Sequence, residues 1–88
     1  MPVVSWSKAF PEPIALHAGR ALRTLREAGE YIRELPPGRQ ARPTWTYATE
    51  LLLIAVRTGK KADIIEACNQ VGRAAHADGL TPRRKVRR

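Results

Sequence analysis

Apolar side chains fall on alternate positions at Phe10, Ile14 and Leu16, with Glu12 in the same phase and Pro11, Pro13, Ala15 and His17 opposite. A period of two is the mark of an extended segment. Two prolines remove two amide donors from it, which restricts it to a sheet edge. His17-Ala18-Gly19 then supplies a tight connection in which Gly19 can take a positive φ, and Arg20–Arg23 is long enough for a return strand with Leu22 turned inward.

Beyond Thr24 the period changes to that of a helix. Thr24 and Glu27 have the spacing of a capping box, and Leu25, Ala28, Ile32 and Leu35 recur on one face until Pro36-Pro37-Gly38 stops the run. A second helix is expected from a Thr44 cap to about Thr58, with Trp45, Ala48, Leu52, Ala55 and Val56 inward and Leu51 and Ile54 widening the apolar face. Gly59 is placed to end it. A third runs from Lys61 or Ala62 to Ala77, with Ile64, Ala67, Cys68, Val71, Ala74 and Ala75 as its buried stripe, closed by Gly79 and Leu80. The pattern predicts a small single α+β domain over residues 6–80. Its expected architecture is an N-terminal two-stranded antiparallel β-hairpin followed by three α-helices, with residues 81–88 a basic disordered tail.

Composition narrows the setting. With 43% apolar residues in 88, the chain can bury one modest core. Its one cysteine permits no internal disulfide, and a chain this small without a disulfide framework fits a reducing, cytoplasmic compartment. The opening residues lack the pattern of a signal peptide. The longest apolar run, Leu51–Val56, falls far short of the roughly 20 residues that span a bilayer, so no membrane partner is expected. The net charge is +8, but Arg83, Arg84, Lys85, Arg87 and Arg88 carry much of it, leaving the folded part only mildly basic.

The element order, and residues within it, resemble a known group. Phe10-Pro11-Glu12-Pro13-Ile14 is followed by Arg23-Thr24-Leu25, Glu27-Ala28, Leu35-Pro36, Thr58-Gly59-Lys60 and Ala77-Asp78-Gly79-Leu80. From Trp6 to about Leu80 the chain is similar to a family of small uncharacterised proteins frequent in rhizobia and related alphaproteobacteria, a domain of unknown function. Members typically carry tryptophan where this chain has Leu35. The resemblance implies the α+β fold and brings no activity, cofactor or binding residue with it.

The residues themselves offer little catalytic chemistry. His17, His76 and Cys68 include no closely spaced pair, whereas a structural zinc site needs four ligands, and Cys68 on an apolar stripe is expected to be packed and inert. The glycines form neither a Walker loop nor a dinucleotide fingerprint. No catalytic, metal or cofactor site is expected, and the chain reads as a non-enzyme. Surplus apolar residues point instead to a protein-interaction or regulatory domain, with a homodimer or an unidentified protein as partner and Trp45, Tyr47 and Phe10 as contact positions. The alternative is weak nucleic-acid binding, with phosphate contacts from Arg39, Arg42, Lys60, Lys61, Arg83, Arg84, Lys85, Arg87 and Arg88. It is the less favoured of the two, because the last helix offers few groups for reading base edges.

Overall fold

Strand β1 spans Ala9–Ala15 and pairs antiparallel with β2, Ala21–Thr24, in a two-stranded sheet. Ile14 lies opposite Leu22 and Ala15 opposite Ala21, while an irregularity between Ala9 and Ile14 absorbs the prolines. A computed structural model describes residues 6–81 of the chain. The strands are joined by a 3-10 turn, His17–Gly19, in which Gly19 takes φ 74°. Phe10, Ile14, Leu16 and Leu22 are buried as their phase predicts, and Glu12 is exposed.

Helix α1, Leu25–Glu34, begins on the expected cap: Glu27 N–H donates to Thr24 Oγ1 at 3.1 Å. The Glu27 carboxylate reaches back to the N–H of Arg23 at 2.6 Å, one residue before the cap itself. One donor left orphaned at the helix start, and the amide just before the cap, are thereby satisfied.

The described residues form four α-helices where the periodicity predicts three. The extra one is α2, Pro37–Gln40, inside what the sequence suggests is a plain linker. Its cause is Pro37, whose fixed φ is preorganised for a first helical position and whose missing N–H would have had no partner there. Pro36 O accepts from the amides of Arg39 and Gln40 at 2.9 and 3.0 Å. Gln40 Nε2 then donates to Leu35 O and Arg33 O at 2.7 and 3.2 Å, so α2 also caps the carbonyl end of α1.

Helix α3, Pro43–Thr58, has Pro43 in its first turn and Arg42 at the cap position, so it starts a residue earlier than a Thr44 cap would allow. It stops at Gly59, which takes φ 65° and donates its N–H to Ala55 O at 2.8 Å. Helix α4, Lys61–Ala77, returns along α3. Leu80 N–H bonds Ala75 O at 2.8 Å and Gly79 N–H bonds His76 O at 3.0 Å around Gly79 at φ 71°. This is the Schellman closure that the Gly79-Leu80 pair predicts.

One core joins all the long elements. Leu25, Ala28 and Ile32 of α1 meet Trp45, Ala48, Leu52 and Ala55 of α3, which in turn meet Ile64, Ala67, Val71 and Ala74 of α4. The alanines at these crossings let the helix axes approach closely. Among the described residues no helix is long and apolar enough to cross a membrane.

Candidate functional site

The residues proposed from sequence as contact positions separate once folded. Phe10 is 6% exposed and Trp45 0%, so neither can meet a partner without opening the core; Tyr47 is 50% exposed. Trp45 sits on the same helical face as Ala48 and Leu52, and the burial of that whole face takes it inside. Arg39, Arg42, Lys60 and Lys61 are at least partly exposed, while Arg83, Arg84, Lys85, Arg87 and Arg88 lie outside the described residues.

Arg39 and Arg42 are already engaged. The Asp78 side chain is only 3% exposed, and its Oδ1 accepts from Arg42 Nη1 at 2.7 Å while its Oδ2 lies 3.4 Å from Arg39 Nε. Trp45 Nε1 donates to the same Oδ2 at 2.7 Å. A phosphate at these two guanidiniums would share them with a buried carboxylate that also holds the indole. Tyr31 leans on Trp45 with ring centroids 6.3 Å apart, and Arg20 lies 5.0 Å above the Tyr31 ring. Burial pushes the Tyr31 phenol up, against the pull of the Arg20 and Arg39 charges.

Sequence reasoning passed over Asp78, although a signal was present. A carboxylate at a helix C-terminus faces the negative end of the macrodipole and is locally unfavourable, so its presence points to a tertiary partner. The same turn is held from the other side, where His17 Nε2 meets Gly79 O at 2.6 Å and His17 N–H donates to Leu80 O at 3.0 Å. A carbonyl only accepts, so His17 carries its proton on Nε2. His17 thus has a structural task.

Cys68 is half-buried and packed against the core, less enclosed than a central place on the stripe predicts. Its Sγ lies 3.8 Å from Glu12 O, on the flank of α4 that meets β1. Burial and the nearby Glu12 carboxylate push the thiol up, away from the thiolate that nucleophilic chemistry requires. Among the described residues no cluster of three or more His, Cys, Asp or Glu side chains could hold a metal ion.

Among the described residues a groove of about 470 Å³ lies between α1 and α3. Ile32, Leu52, Leu53 and Trp6 give its apolar lining, and Arg26, Glu30 and Arg33 its charged lining. Trp6 takes its position because its carbonyl accepts the Arg26 N–H at 2.8 Å and because Gly29 has no side chain. A Cβ at Gly29 would come within 3.0 Å of the Trp6 ring. The groove was not legible as a site, since it is assembled from residues of α1, α2 and α3 together with Trp6, which are separated along the chain. Comparison of the chain with family models, with curated proteins and with solved structures finds no match.

Proposed function

We propose that this chain is a small, non-enzymatic protein-interaction module that receives the apolar face of an amphipathic helix, bearing acidic flanks, in the α1–α3 groove. The observation that carries this reading is the groove itself: an apolar lining of Ile32, Leu52, Leu53 and Trp6 beside a charged lining of Arg26, Glu30 and Arg33. Its volume is within the range of about 300–1,000 Å³ typical of binding pockets. It is half open to solvent, which suits side chains projecting from a larger partner. Two arginines against one glutamate in that lining favour acidic neighbours. The lone cysteine supports a reducing, cytoplasmic setting.

Selection of displayed helical peptides on the immobilised full chain tests the reading. Enriched peptides should be amphipathic and acidic, should shift the amide resonances of Gly29, Thr49 and Leu53, and should lose binding to Leu53→Asp. Leu53 is 48% exposed, so this substitution spares the core. Peptides that map elsewhere, or that bind Leu53→Asp as well as wild type, refute it. Generic duplex DNA bound at low salt and released as salt rises would favour the nucleic-acid alternative instead.

A further inference from the structure

Helix α3 carries a second apolar surface that the groove does not use. Tyr47, Leu51 and Ile54 recur at the i, i+4, i+7 spacing of a helix–helix seam. Tyr47 is 50% and Ile54 37% exposed, and Leu51 is partly covered. The stripe faces away from Thr49, Leu52 and Leu53, and Tyr47 and Leu51 share a shallow depression with Glu66 and Arg73 of α4. Those two residues are roughly 10 Å apart along the helix axis. Neither forms an ion pair with any described residue. Arg73 Nη1 donates to Gln70 Oε1 at 3.3 Å, which uses one of the five donors of the guanidinium.

We propose that this face pairs with a second copy of the chain across a two-fold axis, α3 against α3 and antiparallel. Such pairing demands a surface that complements itself. Antiparallel seating brings Tyr47 of each copy onto Ile54 of the other, with the axis passing between Glu50 and Leu51. Because α3 and α4 form a hairpin about Gly59 and Lys60, the part of α4 level with that axis lies near Cys68 and Asn69. The midpoint between Glu66 and Arg73 falls within about one residue, roughly 1.5 Å, of that level. One rotation therefore superposes the apolar stripe on itself and sets Arg73 of each copy against Glu66 of the other. An apolar stripe alone would suit many partners; the coincidence of two midpoints on two helices selects the chain as its own.

The seam involves one helix and the edge of another, so it belongs with interfaces below about 1,200 Å² and should be weak and reversible. It is also independent of the groove, since Leu53→Asp leaves the seam intact and Ile54→Asp leaves the groove intact.

Sedimentation equilibrium of the full chain tests the pairing, at physiological ionic strength so that the +8 charge is screened. Wild type should show a reversible monomer–dimer equilibrium within several hundred micromolar, and Ile54→Asp should be monomeric. Glu66→Arg leaves arginine facing arginine and Arg73→Glu leaves glutamate facing glutamate, so each should weaken the dimer by about tenfold. An equimolar mixture of these two variants should recover the affinity as a heterodimer. Both positions are exposed, and circular dichroism verifies that the variants fold. A wild type that stays monomeric, a dimer indifferent to both reversals, or a mixture that recovers nothing would overturn the proposal.

Discussion

Asp78→Ala removes the carboxylate that joins the end of α4 to the start of α3. Trp45 is 0% exposed, and its Nε1–H donates to Asp78 Oδ2 at 2.7 Å; stranding a buried donor costs about 1–3 kcal/mol. The ion pairs add less. The Arg42 side chain is 55% and that of Arg39 32% exposed, so both charges return to water, and their share is about 1 kcal/mol at most. Against this, removing a negative charge from a helix C-terminus relieves about 0.3–1 kcal/mol. The net expectation is a loss of about 2 kcal/mol, or roughly 8–16 °C in Tm for a chain of this length.

Urea unfolding followed by far-ultraviolet circular dichroism measures it. Asp78→Asn separates the components, because an amide oxygen still accepts from the indole while the charge is gone. It should recover more than half of the loss, and the recovered part should be insensitive to salt, unlike the ion pairs. In a Trp45→Phe background Asp78→Ala should cost about 1–2 kcal/mol less than in wild type. An Asp78→Ala chain within about 0.5 kcal/mol of wild type would refute the reasoning, as would an Asn variant as damaged as the Ala variant.

Gly29→Ala exchanges a helix-propensity gain of about 1 kcal/mol for a contact that the Trp6 ring must yield to. Stability should change by less than about 1 kcal/mol while the Trp6 indole resonance moves and the Trp45 one does not; an unmoved Trp6 signal argues against the packing described. Thr24→Ala should lower stability by about 1 kcal/mol through loss of the 3.1 Å cap, read as a shifted urea midpoint at constant m-value. The Cys68 thiol is pushed up in the fold, so the folded chain holds that proton more tightly than the unfolded one. The resulting stability is fully present below the ordinary thiol range and is lost as pH rises through the raised value. Tyr31 acts in the same direction at higher pH. The urea midpoint should therefore fall on the alkaline side, less steeply in Cys68→Ala; equal slopes in the two chains would count against the assignment.

The elements that sequence made legible are those whose cause is local. Thr24 and Glu27 meet in the backbone's own geometry, Gly19, Gly59 and Gly79 occupy the positive-φ positions their turns require, and the periods of two and of a helix select the buried faces. What stayed hidden depends on partners far along the chain. Asp78 is 33 residues from Trp45 and 36 from Arg42, and no local pattern joins them. The same distance explains why Arg39 and Arg42, basic and in a linker, look unengaged when each already faces a carboxylate. Helix α2 was missed for a different reason: adjacent prolines read as a stop, yet the second of them is also a suitable first residue for the next turn. Trp45 and Phe10 look like contact residues only while the size of the core is unknown.

Helix α3 organises both proposed surfaces, and its rigidity determines how they can cooperate. Asp78 fixes its first turn and Gly59 ends it, and between them Ala48, Leu52 and Ala55 are buried against α1 and α4. A packed helix of this kind offers no second arrangement for a ligand to select, and allosteric coupling between sites requires one. Groove and seam should therefore contribute additively, each indifferent to occupation of the other. Cooperation remains available through geometry: a two-fold pair presents two grooves on outward flanks, and a partner carrying two suitable helices gains effective concentration from holding both. Weak self-association is then sufficient, because a bivalent partner would itself draw the second copy into place.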